Sequence, residues 1–392
     1  MDAAFVSTYL TRPPQRPQRV IPTIWEVNVD GANVHPVLPQ VGQPNKAHCG
    51  NWTPDGKYFL FQRRGDKAVD IWAVPDSRNL LFQGKAQPVQ LTSGPLDYLS
   101  PLPSKDGKHV FAIGVLKRAE LVRRDTRSGQ FSPFLSGISA GEVEFSRDGQ
   151  WVTYVSYPEN TLWRSRADGS DRLQLTYAPW WVIQPHWSPD GKRIAFTRVM
   201  PSQTWRIYIV PVDGGVPEPL LMEQRSQFAP TWAPDGGSIA FSRIFFRESG
   251  NTIQVFNLKT GKVSELPGSN ELWYPTWSLD GEYLTALSRD QRRLMIYNFA
   301  SGKWFEAWKG SGISYVNFSR DSKFVYFENQ TDRTVHRLSV SDLRSEQVAD
   351  LKELRRPSMP YWPFWIGLAA DDSLLAMRDV ETQEIYALDL QP

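Results

Sequence analysis

Short runs that alternate apolar and polar positions recur along this chain, and each follows a tight-turn signal. The stretch "WSPDGKRIAFTR", Trp187 to Arg198, is the clearest example. Alternation with a period of two reads as a β-strand. The preceding Pro-Asp-Gly reads as a turn, because proline presets φ, aspartate bonds the following backbone and glycine accepts positive φ. The same frame returns in "GNWTPDGKYFLFQR", "SPLPSKDGKHVFAIG", "VEFSRDGQWVTYVS", "PTWAPDGGSIAFSR", "PTWSLDGEYLTALSR", "VNFSRDSKFVYFEN" and "WIGLAADDSLLAMRD". Its turn aspartates are Asp55, Asp106, Asp148, Asp190, Asp235, Asp280, Asp321 and Asp371, at steps of 51, 42, 42, 45, 45, 41 and 50 residues. A third strand such as "RIYIVPV" and a short fourth such as "PEPLL" complete each unit. Four short antiparallel strands per repeat of about 40 to 45 residues describe a propeller blade. The expected fold is all-β: an eight-bladed β-propeller of four-stranded antiparallel blades, with residues 1–20 as a tail and 21–392 as one propeller domain.

The two chain ends pose a closure problem. The C-terminus offers "FWIGLAA", "SLLAM" and "EIYALDL"; the N-terminus offers "TIWEVNVDG" and "HPVLP" as a third and fourth strand. A ring closed by N-terminal strands on the last blade leaves no open edge. "HPVLP" is therefore expected beside "EIYALDL". Both ends then supply a third strand, one too many.

The repeated "WSPDGK-x-I-A-F" resembles the TolB-like, WD-repeat-like propeller family of bacteria, over nearly the whole chain from about Ile24. Related propellers occur in TolB itself, in the non-catalytic domains of dipeptidyl and prolyl oligopeptidases, and in large bacterial proteins, some with a winged-helix DNA-binding domain. The stretch from Glu120 to Gly169 looks most like the propeller part of those winged-helix regulators. No amphipathic helical stretch precedes the first blade, so their DNA-binding activity is not expected here. The resemblance implies a fold far more specifically than a function.

Composition narrows the classes further. The net charge of +2 offers no electrostatic footprint for nucleic acid. No run of apolar residues is long enough for a transmembrane helix, so membrane insertion is not expected. The single cysteine, Cys49, forbids an internal disulfide. The opening "MDAAFVSTYLTRPPQRPQRV" lacks a signal-peptide pattern, which favours the cytoplasm, with the periplasm open for a processed or truncated form.

Candidate chemistry is sparse. Gly137-Ile138-Ser139-Ala140-Gly141 spells Gly-x-Ser-x-Gly, but a strand follows and not a helix, so Ser139 is expected to be inert. His35, His48, His109, His186 and His336 show no metal spacing, although His48 and His186 sit where a channel could be approached. The repeated aspartates are read as turn formers, so neither a metal nor a cofactor is expected. The second strands of several blades end in Arg63, Arg198, Arg243, Arg289 and Arg378. The joining loops on that rim carry Trp181, Trp273 and Trp362. Arginine and tryptophan are hot-spot residues, so this rim is the expected binding face for a protein, peptide or glycan. Arg198 and Arg243 share parity with apolar neighbours, which leaves packing against an adjacent blade as the competing reading. The chain is expected to be a monomeric, non-enzymatic binding or scaffold propeller. The alternatives are a lyase or hydrolase with a central-channel site, and the sensor part of a regulator lacking its DNA-binding domain.

Overall fold

The computed structural model describes residues 3–8, 23–28, 30–32, 34–36, 47–65, 68–76, 87–200, 203–244, 250–357 and 364–390. Among the described residues, apart from one 3-10 turn at Leu135–Gly137, the regular elements are β-strands. Each of the eight repeats opens its own antiparallel sheet, as the blade count calls for. In the Asp190 repeat the strands are Trp181–Trp187, Arg193–Val199, Arg206–Pro211 and Glu218–Pro219, hydrogen-bonded in that order.

The turn chemistry is as local as the repeats suggest. The Ser188 hydroxyl donates to Asp190 Oδ1 at 2.5 Å and accepts from the Arg193 amide at 2.9 Å, while Asp190 caps the Lys192 amide. Gly191 completes the turn at a φ of +68°. Ser146 with Asp148, Ser278 with Asp280 and Ser319 with Asp321 repeat the same hydroxyl–carboxylate bond. The Ser146 hydroxyl holds the Asp148 carboxyl below the usual carboxylate range. These bonds account for the repeated aspartates as turn formers.

Second strands are buried on both faces. Ile194, Ala195, Phe196 and Thr197 are all fully inaccessible. Ile194 and Phe196 pack with Val155, Leu162 and Trp187 on one side. Ala195 packs with Trp232, Ile239 and Phe241 on the other. The alternation is thus large apolar against small, because a sheet lies against each face.

Contacts divide the chain into two units, Arg118–Val380 and Met1–Lys117 with Glu381–Pro392. The first unit holds six four-stranded sheets. Their first strands, Ala140–Phe145, Trp181–Trp187, Ser226–Trp232, Leu272–Trp277, Ile313–Phe318 and Ile366–Leu368, touch in sequence, and the last touches the first. This closed ring has no open edge between sheets. The second unit holds the Asp55 sheet, a three-stranded sheet of Asp97–Pro103, His109–Leu116 and Thr382–Asp389, and a three-stranded sheet of Ala3–Thr8, Thr23–Asn28 and His35–Pro36. Residues 1–20, expected as a tail, therefore contribute the strand Ala3–Thr8.

The expected closure is corrected by this topology. His35 and Pro36 pair with Glu26 and Trp25, and the rest of "HPVLP" lies outside the described residues. "EIYALDL" pairs instead with His109–Leu116, for example Ile385 with Ile113. The third strand of the Asp106 repeat, Ala119–Arg124, leaves that repeat and joins Leu374–Asp379 of the Asp371 repeat. The two repeats exchange third strands, which resolves the surplus strand. The exchange buries Ala119, Leu121 and Val122 completely beside Leu375 and Ala376, and frees the edge of His109–Leu116 for the C-terminal strand.

Candidate functional site

Five of the six first strands in the ring are interrupted by a bulge; Ile366–Leu368 pairs without one. The register shifts fall between Gly141 and Glu144, Ile183 and His186, Phe228 and Thr231, Trp273 and Thr276, and Ser314 and Asn317. Inside each shift one residue takes a left-handed backbone: Glu142 at φ 51°, Gln184 at 54°, Ala229 at 53°, Tyr274 at 58° and Tyr315 at 49°. Such a conformation costs a non-glycine residue about 1 kcal/mol or more and persists only where neighbours hold it. Here the second strand of the preceding sheet does so. The Thr197 hydroxyl accepts from the Ala229 amide at 3.2 Å, and the Ser242 hydroxyl from the Tyr274 amide at 2.7 Å. Bulges of this kind re-aim side chains.

Four of these bulge residues, all but Ala229, line one cavity, of about 180 Å³, inside the ring. Its wall carries Glu142, Gln184, Tyr274, Tyr315 and Trp365 at one level and Glu144, His186, Thr231, Thr276 and Asn317 at the next. Beyond them it reaches Arg147, Pro189, Pro234, Leu279, Arg320 and Ala370, so the cavity follows the first strands to the Asp-Gly turns. That end is opposite the arginine and tryptophan rim, since each first strand runs from the rim to its turn.

The second level ties sheets together. Glu144 accepts from the Trp187 amide at 2.8 Å and meets His186 Nδ1 at 3.0 Å. The Thr231 hydroxyl accepts from the Trp277 amide at 3.1 Å, and that of Thr276 donates to the Val316 carbonyl at 3.2 Å. The bulge level is less satisfied. Glu142 is 5% exposed; its Oε2 accepts from Gln184 Nε2 at 3.2 Å, and its Oε1 has no partner. Tyr315 is 1% exposed and its hydroxyl also has no partner. Buried polar groups without partners are uncommon and call for an explanation.

Electrostatics follow from this burial. Desolvation pushes the Glu142 carboxyl up to about 7, against smaller opposing effects of Gln184 and His186. Burial would lower His186, but the Glu144 carboxylate beside it, with Glu142 behind, raises it overall. Burial keeps the Tyr274 and Tyr315 phenols protonated. The arrangement offers a carboxyl that changes charge near neutrality, two neutral phenols and a His–Glu pair. Among the described residues no three His, Cys, Asp or Glu side chains group as a metal site.

The arginines of the opposite rim have internal partners. Arg243 clamps Glu223, with Nη2 to Oε2 at 2.7 Å, Arg289 meets Glu271 at 3.6 Å, and Arg378 meets Glu120 at 3.3 Å and the Phe131 carbonyl at 2.7 Å. Arg63 lies 4.8 Å over the Trp72 ring, and Arg198 lies 4.4 Å over Trp180. Trp273 stacks on Phe228 at 5.7 Å and donates to the Ser288 carbonyl at 3.1 Å; Trp181 is half-buried against the core. Trp362 lies outside the described residues. Arg198, Arg243, Arg289 and Arg378 are thus engaged by their own sheets or by the loops that enter them. The Ser139 hydroxyl accepts from the Ala119 amide at 3.0 Å and donates to the Tyr157 carbonyl at 2.8 Å, a tie between loops and not an activated nucleophile.

The channel residues were missed from the sequence, yet a signal was there. Each bulge residue stands four positions before the first residue of its turn, which is serine in most repeats. Read across the repeats, that column is Cys49, Ser100, Glu142, Gln184, Ala229, Tyr274, Tyr315 and Trp365. A structurally repeated position with non-repeating chemistry is where a repeat protein departs from its own scaffold.

Comparison with known proteins bears on the fold. Residues 143–298 match the family model described as the TolB beta propeller domain. No curated protein matches the chain. Among solved structures, a putative TolB from Agrobacterium tumefaciens aligns at 17% identity and a TM-score of 0.53, covering 67% of this chain and 98% of the other. A nidogen/laminin complex aligns at 13% identity and a TM-score of 0.50, covering 68% and 98%. An oligogalacturonate lyase from Vibrio parahaemolyticus aligns at 12% identity and a TM-score of 0.45, covering 96% and 97%. The repeat turns, the sheets of the eight repeats and the matched model agree on a β-propeller fold, of which residues 143–298 match the TolB beta propeller domain.

Proposed function

We propose that the ring of residues 118–380 is a non-enzymatic binding module that admits part of a peptide or small polar ligand into its channel from the Asp-Gly turn side. The observation that carries this reading is the pair of buried groups without partners, Glu142 Oε1 and the Tyr315 hydroxyl, on two residues that line the cavity. Among the described residues Arg198, Trp277, Ser314, Arg333 and Arg356 also hold a buried side-chain atom without a partner, but Glu142 alone brings an unmatched carboxyl oxygen, and a ligand in the cavity supplies what Glu142 and Tyr315 lack. The test is selection of a displayed random-peptide library on the full chain, followed by affinity measurements on a Thr276→Trp variant whose indole fills the channel and whose folding is checked by melting. Selected peptides are expected to lose about tenfold or more in affinity on the variant, a loss of roughly 1.4 kcal/mol. Equal binding to both proteins, or no selection at all, overturns the reading.

A second reading is favoured by one observation. A carboxyl titrating near 7 beside a His–Glu pair also suits general acid–base work on a ligand in the channel, as in a lyase or hydrolase. Turnover of a carbohydrate or ester panel that disappears in Glu142→Gln would favour this reading over pure binding.

A further inference from the structure

We infer that the floor of the channel takes an organic cation, a nitrogen head that donates N–H bonds, such as a primary ammonium or a guanidinium group. The inference rests on the channel-binding reading and names the chemistry of the deepest ligand group. Glu142 lines the cavity and is buried with one carboxyl oxygen held by Gln184 and the other without a partner. A carboxylate so placed accepts further hydrogen bonds and donates none. Tyr315 lines the same cavity, and its buried hydroxyl is likewise unmatched and has lone pairs to offer. Tyr274, Tyr315 and Trp365 wall the floor with aromatic rings, whose faces attract cations. Gln184 holds the Glu142 carboxyl and also bonds the Tyr274 side chain, so the floor is pre-arranged before any ligand enters.

Other occupants fit less well. An anion would meet both Glu142 and Glu144 across the cavity. A divalent metal would need more ligating side chains than the described residues gather there. A neutral alcohol would match the hydroxyl but leave the ionised carboxylate without a counter-charge. An N–H cation answers the carboxylate oxygen, the phenol and the ring faces together. The charged groups facing Glu142 are Glu144 on its own strand, His186 from the next sheet, and the phenols of Tyr274 and Tyr315. On acidification Glu142 loses its charge while His186 gains one, so both changes act against a bound cation.

The experiment is calorimetric titration of the full chain with n-butylammonium and with n-butylguanidinium, using 1-butanol as the neutral isostere. At pH 8 one of the two cations is expected to bind at least about tenfold tighter than 1-butanol. Its affinity should fall roughly tenfold by pH 6, as a carboxyl titrating near 7 protonates. Glu142→Gln should abolish that preference while keeping the circular dichroism and melting of a folded chain. Tyr315→Phe, which keeps the ring and removes the hydroxyl, should weaken the cation by a few-fold. Absence of binding by either cation below about 10 mM, equal binding of 1-butanol, or full cation affinity in Glu142→Gln overturns the inference. Peptides that still depend on an open channel, found alongside an amine-blind floor, would sink this inference and leave the binding module standing.

Discussion

At the scale of single residues, the decisive contrast lies between arginines that look available and a glutamate that looks unremarkable. Arg243, Arg289 and Arg378 each lie at the end of a second strand; Arg243 and Arg289 meet a glutamate of the loop that enters their sheet, and Arg378 meets Glu120 on the paired strand. Glu142 is buried with half its carboxyl unmatched, and this has a consequence for stability. Its folded pKa, about 7, lies above the unfolded value of 4.5, so the folded state binds the proton more tightly. Stability from this group is therefore full below pH 4.5 and declines as pH rises to 7. Glu142→Gln removes the buried charge. It should raise stability at pH 8 by up to about 3 kcal/mol and flatten the decline between those limits. Melting temperatures of both proteins from pH 4.5 to 8 check this, and a variant less stable at pH 8 contradicts it.

At the scale of elements, the first strand is where scaffold and site meet. In four repeats its bulge residue lines the channel, and in two the second strand of the preceding sheet locks the bulge, through Thr197 or Ser242. In the Asp321 repeat the equivalent second-strand position is Glu328, which forms a fully buried pair with Arg356. Arg356 Nη1 meets Glu328 Oε2 at 3.0 Å and the Phe364 carbonyl at 3.2 Å. The pair tethers the segment that enters the last sheet. Removing one partner of a buried pair strands the other charge, so Arg356→Ala should cost about 3–5 kcal/mol, seen as a lowered urea midpoint. Replacing both, as Glu328→Leu with Arg356→Met, should recover most of that loss. A double variant no better than Arg356→Ala would show that the packing of Arg356 on Phe364, and not the stranded charge, dominates. The turns were legible from the sequence because Ser-x-Asp-Gly closes over a few adjacent residues. The bulge was not, because its cause is a hydrogen bond from a strand about one repeat earlier.

At the scale of the whole molecule, the exchange of third strands organises the sheets. Ala119–Arg124 closes the six-sheet ring on Leu374–Asp379, and Thr382–Asp389 completes the sheet that Ala119–Arg124 left. A chain truncated after Val380 should keep slow amide exchange at Leu121, Val122 and Met377. The amides of His109–Leu116 that faced the lost strand should exchange fast. Loss of protection throughout residues 118–380 would contradict the closure. By itself, the sequence determined the all-β class, the eight sheets, their turns and the order of strands within most of them. Each of these is encoded in alternation and turn residues that act over short distances. Only the tertiary structure decided which third strand pairs with which second strand, because "ELVRRD" and "EIYALDL" carry the same local pattern and compete for equivalent edges. It alone decided, too, that Glu142, Gln184, Tyr274 and Tyr315 converge. They come from separate repeats and meet only when the ring closes and buries their side chains around one axis.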